Sequence, residues 1–117
     1  MISIGTDIVK VSRIKDLLTT KQEKFLNKIF TEEEIAYCNS HSKPEIHFSG
    51  KYAAKEAVKK ALLSNDLIEQ ISLKDIKILN RVNKAPYVVI DHIIGLNYNV
   101  SISHEEEYAI AFVLIQE

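Results

Sequence analysis

Two acidic residues occupy positions where acids are uncommon. Asp7 falls within Ile2-Ser3-Ile4-Gly5-Thr6-Asp7-Ile8-Val9. That segment alternates as a strand does, and aspartate is disfavoured inside strands. Two roles stay open for it: a turn or cap aspartate at the strand end, or a ligand aimed into a cleft from a rigid strand. Glu56 falls within Ser49-Gly50-Lys51-Tyr52-Ala53-Ala54-Lys55-Glu56-Ala57-Val58-Lys59-Lys60-Ala61-Leu62, a stretch with four alanines and no proline. Alanine is the best helix former. At ~100° per residue, Ala53, Ala54, Ala57 and Ala61 share one arc, extended by Val58 and Leu62. Glu56 borders that arc, with Lys60 one turn further on in the favoured Glu-before-Lys order. Two hard oxygen ligands with lysines nearby suit Mg²⁺ carrying a phosphate-rich substrate, because that ion takes one or two carboxylates plus phosphate oxygens. Taken alone, these residues point to metal-assisted phosphoryl chemistry.

Other chemistries have weaker support. The three glycines, Gly5, Gly50 and Gly95, are scattered and build no phosphate loop. No nucleophile elbow is present. Ser103 and His104 are adjacent in an alternating segment and point to opposite faces, so they make a poor nucleophile–base pair. His41 and His47 lack a third ligand in sequence and read as ordinary loop histidines. Lys51, Lys55 and Lys59 repeat along the far face of the helix. Like charges at that spacing cost only a few tenths of a kcal/mol per pair, so a solvated face and a ridge meeting phosphates both remain open.

The elements that must position these groups follow from local patterning. Ile2–Val9 opens as a strand. Ser12 caps a helical turn over residues 13–18, and a second helical piece spans Glu23 to Ile29. Thr31-Glu32-Glu33-Glu34 is a capping box opening a helix to about Cys38. The three glutamates suit its N-terminus electrostatically and read as structural. Asn39–Pro44 is a loop, and the central helix runs from about Ser49 to Leu63. Strands follow at Ile76–Leu79, Tyr87–Ile90, Val100–Ser103 and Tyr108–Ile115, the last two joined as a hairpin through His104–Glu107. Helices followed by a run of strands indicate an α+β fold: a mostly antiparallel sheet of about five strands with the long central helix packed on it.

Bulk properties narrow the class. The 117 residues fit one domain, 1–117, and 46% apolar content is enough for a core. A formal charge of −1 gives no basic field of the kind that draws nucleic acid. One cysteine, Cys38, excludes an internal disulfide framework and a multi-cysteine zinc site. The first residues lack the pattern of a signal peptide, and no apolar run is long enough to span a membrane. The expectation is a reduced, cytoplasmic, soluble domain with no membrane partner.

Four motifs in order carry a resemblance. Gly5-Thr6-Asp7-Ile8-Val9 with Arg13-Ile14, Phe30-Thr31-Glu32-Glu33-Glu34, Gly50-Lys51-Tyr52-Ala53-Ala54-Lys55-Glu56-Ala57, and Ser101-Ile102-Ser103-His104 with Tyr108-Ala109 resemble the small bacterial phosphopantetheinyl transferases, the holo-(acyl-carrier-protein) synthases. The match covers nearly the whole chain. It implies the phosphopantetheinyl transferase fold and transfer of the 4′-phosphopantetheine arm of coenzyme A to a serine of apo acyl carrier protein. Adenosine 3′,5′-bisphosphate is the other product, and fatty acid biosynthesis the context. It also implies a homotrimer with active sites at subunit interfaces. By motif, Asp7 and Glu56 would hold Mg²⁺, Glu56 would take the serine proton, and Lys60 would stabilise the leaving bisphosphate. Lys51, Lys55, Lys60, Pro86, Ser103 and His104 would contact coenzyme A, and Arg13 would dock the acidic carrier helix, while Lys59 stays solvated.

The chain departs from the pattern in two places. The Gly-Thr-Gly that often follows the central helix is Leu63-Ser64-Asn65, and the Gly-Lys-Pro-Tyr turn is Lys84-Ala85-Pro86-Tyr87. The competing class is a non-catalytic trimer that holds coenzyme A or a carrier. Intact Asp7 and Glu56 argue against it, since simple binding needs no metal-binding carboxylate pair. Broad-range transferases usually resemble two such units fused, and this chain is one unit long.

Overall fold

A computed structural model describes all 117 residues. Strand β1 (Ile2–Lys10) leads into helices α1 (Val11–Thr20), α2 (Gln22–Ile29), α3 (Glu32–Asn39) and α4 (Pro44–Ser64). A short 3₁₀ turn at Leu73–Asp75 precedes strands β2 (Lys77–Asn80), β3 (Pro86–Val89), β4 (Asn97–His104) and β5 (Tyr108–Gln116). The architecture is α+β, as expected. The five strands do not form one sheet. β1, β5 and β4 make an antiparallel sheet in that order, and β2 and β3 make a separate antiparallel ribbon. β3 runs beside β4, but no ladder joins them. No helix is long and apolar enough to cross a membrane.

The alanine arc does what its spacing implies. Ala53, Ala54, Ala57 and Ala61 have no exposure, and α4 lies flat on β1. The contact is so close that a Cβ on Gly5 would fall 1.9 Å from the Ala57 carbonyl oxygen. Ser3 donates its hydroxyl to the Ala61 carbonyl and sits 3.0 Å from the Ser64 hydroxyl. The inward face of β1 is therefore Ser3, Gly5, Asp7 and Val9, the small and polar set. Ile2, Ile4 and Ile8 point outward, 64%, 58% and 63% exposed. In the usual strand the apolar set faces the core; here the approach of α4 leaves no room for it.

Two boundaries differ from the sequence reading. α4 begins at Pro44, five residues before Ser49, with proline in its first turn. Proline is favoured there because its missing N–H had no helical partner anyway. His47 is consequently helical, not a loop residue. α1 begins at Val11, and its cap residue is Lys10 with no side-chain cap. Instead the Val11 N–H donates to the Glu107 carbonyl at 2.8 Å, so the Ser12 cap is absent.

The Thr31 capping box forms, with the Thr31 N–H donating to Glu34 Oε1 at 2.8 Å. Glu34 does more than cap. Its Oε2 accepts from the Ile78 N–H at 2.8 Å, and its Oε1 lies 2.9 Å from Lys55 Nζ. Lys55 also donates to the Leu73 and Ile76 carbonyls, at 3.0 and 2.6 Å. One ion pair thus ties α3, α4 and β2 beneath the core formed around Phe30, Phe48, Val58 and Leu62.

Candidate active site

Asp7 and Lys60 meet at the point where β1 passes under α4. Lys60 Nζ donates to Asp7 Oδ1 at 2.8 Å and to the Thr6 carbonyl at 3.1 Å. The hydrogen bond to Asp7 holds the Lys60 ammonium above the ordinary lysine range. Asp7 is only 15% exposed, whereas Lys60 is 54% exposed. Glu56, half-buried, lies one helical turn before Lys60, and Tyr52 one turn before Glu56. Partial burial raises the Tyr52 hydroxyl pKa, Glu56 raises it further, Arg13 opposes and Asp7 adds to the rise. Those fields converge on one phenol, so Asp7, Glu56, Arg13, Tyr52 and Lys60 share one locus. The turn-or-cap role for Asp7 is not what the fold uses, since Asp7 sits inside β1 and pairs with Lys60. Tyr52 beside the carboxylates was not singled out from sequence; its spacing of four before Glu56 was the available signal.

A second locus is a cleft of about 320 Å³ between α3, α4, the β2–β3 turn and β4. Tyr37, His41, His47, Gly50, Lys51, Asn80, Lys84, Pro86, Ile102 and His104 line it. Three residues expected to contact coenzyme A, namely Lys51, Pro86 and His104, come together here. Lys51 is 3% exposed, and its ammonium already donates to the Ile78 carbonyl and to Asn80 Oδ1. Burial pushes its pKa down. Lys84 adopts φ 74°, a conformation that favours glycine. It stands where the resembled turn has glycine, and it brings a cation to the cleft one residue before the turn's lysine position, which Ala85 occupies here.

Two expected contacts fall elsewhere. Lys55 has no exposure and is committed to Glu34, so it is a buried structural cation and not a phosphate contact. Burial lowers its pKa and Glu34 acts against that. The idea of a lysine ridge on a solvated or phosphate-facing surface therefore fails for Lys55, which the β2–β3 ribbon and the 3₁₀ turn cover; Lys51 is buried too but lines the cleft. Ser103 pairs with Ile110 on the outer face of the sheet, away from His104. Strand alternation forces this.

The carboxylate locus has the chemistry of a partial metal site. No group of three or more His, Cys, Asp or Glu side chains is disposed to hold an ion by itself. Two carboxylates beside an exposed ammonium fit a cation that completes its shell with water and ligand phosphates.

Comparison with known proteins finds relatives along nearly the whole chain. Residues 3–113 match the family described as the 4′-phosphopantetheinyl transferase superfamily. The chain is 46% identical to a holo-(acyl-carrier-protein) synthase of Thermodesulfovibrio yellowstonii, over 96% of both chains. It is 38% identical to one of Protochlamydia amoebophila, over 97% of this chain and 96% of the relative. Among solved structures, the Helicobacter pylori holo-(acyl-carrier-protein) synthase in complex with coenzyme A superposes with a TM-score of 0.81 at 32% identity, covering 97% and 99% of the two chains. The Bacillus anthracis synthase with coenzyme A (3′,5′-ADP) gives 0.80 at 29% identity, covering 97% and 94%. With a family match over nearly its whole length and relatives of one activity at this identity, the chain belongs to the 4′-phosphopantetheinyl transferase superfamily, among the holo-(acyl-carrier-protein) synthases.

Proposed function

We propose that this protein transfers the 4′-phosphopantetheine arm of coenzyme A to a serine hydroxyl of apo acyl carrier protein, with Mg²⁺, in cytoplasmic fatty acid biosynthesis. The convergence of Asp7 from β1 with Glu56 and Lys60 from α4 carries this reading. Asp7 and Glu56 are the residues that would hold Mg²⁺ against the pyrophosphate. Bound there, the ion supplies charge neutralisation at the phosphorus under attack and on the leaving phosphate. Glu56 accepts the serine proton. The serine oxygen forms its bond to the pantetheine-side phosphorus as the bond to the bridging oxygen breaks, and adenosine 3′,5′-bisphosphate leaves with that oxygen. Lys60 exchanges its hold on Asp7 for the leaving phosphate. Arg13, exposed on α1, offers a cation to the acidic carrier. The cleft with Lys51, Pro86 and His104 takes the nucleotide.

The proposal includes a homotrimer with active sites between subunits. The outer face of the β1–β5–β4 sheet supports this. Beyond the three isoleucines of β1, it exposes Tyr108, Ile110 and Phe112 at 42%, 46% and 45%. A contiguous apolar face of this kind marks an interaction surface. Ser103 and Ser101 border it, opposite Ile110 and Phe112, and a neighbouring subunit seated there would bring Ser103 to its own bound coenzyme A.

The test is a mass measurement on apo acyl carrier protein incubated with coenzyme A and Mg²⁺. A gain equal to the phosphopantetheine arm is expected, with EDTA abolishing it. Glu56→Gln and Asp7→Asn are each expected to lower the rate by about two orders of magnitude or more, the scale of a general base, with the oligomer intact. Full activity of Glu56→Gln would remove Glu56 from the assigned role.

A further inference from the structure

Three imidazoles from three different elements meet in the nucleotide cleft. His41 comes from the loop after α3, His47 from α4 and His104 from the end of β4. The His41 and His47 rings stack, with centroids 3.7 Å apart and planes 25° from parallel. His104 meets His47 edge-on at 5.4 Å. The His41 tautomer is set by its neighbour. Its Nδ1 lies 2.8 Å from the Tyr37 carbonyl, and a carbonyl only accepts, so Nδ1 carries the proton and Nε2 is the free acceptor.

The charged side chains that line this cleft are both cations: Lys51 from α4 and Lys84 from the β2–β3 turn. Tyr37 from α3 and His104 from β4 complete the wall, and no carboxylate lines it. Burial, followed by His41, His104, Lys51 and Lys84, pushes His47 down to about 4. These groups therefore keep the His47 ring uncharged at neutral pH. The cleft is also built at a cost: Lys84 is held at φ 74°, in the left-handed region that disfavours any side chain. Two lysines, one buried and one held at positive φ, stand around the stacked imidazoles and make a site suited to negative charge.

We propose that His41 and His47 make this cleft a proton-coupled grip for a phosphate monoester. A dianionic phosphate entering the cleft brings one proton from solvent onto the stack, so the site gains the ligand with a net charge change of −1. The inference rests on the reading that coenzyme A places its nucleotide here; coenzyme A carries one phosphate monoester besides its pyrophosphate. The sign follows from linkage. The bound state holds more protons than the free state, so affinity rises as pH falls, by up to tenfold per unit where uptake is complete. The window lies between the free value of His47 and its raised value in the complex. Between pH 6.5 and 8 the phosphate itself remains largely dianionic, so the change is read on the protein.

Calorimetric titration of the intact protein tests this at pH 7.5 in buffers of different ionisation enthalpy. Coenzyme A is expected to bind with measurable proton uptake, and dephospho-coenzyme A with uptake near zero. The double variant His41→Asn/His47→Phe keeps a donor to Tyr37 and a ring in the stack but cannot take the proton. It is expected to bind coenzyme A with little uptake and an affinity flat from pH 6.5 to 8. On the unaltered protein, the ring proton resonances of His41 or His47 should move towards imidazolium as coenzyme A is added. Equal uptake for both ligands, uptake that survives in the double variant, or unmoved ring resonances would each overturn the proton-coupled grip. Absence of coenzyme A binding at every pH would instead overturn the parent reading.

Discussion

Lys55 Nζ stands 2.9 Å from Glu34 Oε1, and neither side chain reaches solvent. The pair joins the capping box of α3 to the middle of α4 and, through the Ile78 N–H, to β2. Removing one member of a buried pair leaves an uncompensated charge, which costs about 3–5 kcal/mol. Lys55→Met is therefore expected to lower the unfolding free energy by that amount in urea denaturation. The Michaelis constant for coenzyme A in the fraction that folds should stay near the wild-type value. A large rise in that constant with unchanged stability would return Lys55 to the list of ligand contacts.

Gly5 is fixed by distance rather than by its backbone angles. Any Cβ there meets the Ala57 carbonyl at 1.9 Å, and that backbone oxygen belongs to a helix packed against the sheet. Gly5→Ala must push α4 off β1 and carry Glu56 and Lys60 away from Asp7. Overpacking of this kind costs about 1–3 kcal/mol or more. The variant is expected to melt well below the parent by circular dichroism and to lose activity even where folded. Gly95, with open space at its Cβ and φ 84°, should tolerate alanine at about 1 kcal/mol, the penalty of the left-handed backbone alone.

Much of this arrangement was legible in the chain. The alanine spacing gave the close helix–sheet contact, and the strand-bound aspartate and stripe-edge glutamate gave the carboxylate locus. Periodicity could not say which face of β1 turns inward, because both faces alternate cleanly and the isoleucines favour the wrong one. Nor could a lysine repeat reveal that the 3₁₀ turn and the β2–β3 ribbon would fold over it. Lys51 and Lys55 became buried donors to carbonyls more than twenty residues away in the case of Ile76 and Ile78. The histidine stack was illegible for a similar reason: His41 and His47 lie on opposite sides of a helix start that proline moved towards the N-terminus.

The outer sheet face gives a separable prediction. Ile110 and Phe112 are nearly half exposed, and the pairing register aligns Ile8 with Ile110 and Thr6 with Phe112. Ile110→Lys should leave the monomer fold intact, because its side chain stands on the outer face of the sheet, 46% exposed. Sedimentation equilibrium is expected to show a trimer for the parent and a monomer for the variant, with transferase activity lost together with assembly. A monomeric parent, or a monomeric variant of full activity, would show that the site is complete within one chain.

His47 also predicts how stability responds to acid. Its folded value, about 4, lies below the 6.5 of an unfolded histidine, so between those two values the unfolded chain binds more protons. By linkage, stability attributable to this residue is complete above pH 6.5 and falls as pH drops towards 4. The sign is opposite to that of a histidine that gains an acidic partner, and it follows from partial burial beside Lys51, Lys84 and two other imidazoles. The ring is only partly buried, so solvent screening reduces the size of the effect. Denaturation measured at intervals from pH 7.5 to 4.5 is expected to show a decline that is shallower in His47→Phe than in the parent. Parallel declines in the two proteins would mean that the loss comes from other groups and that His47 titrates freely in the folded chain.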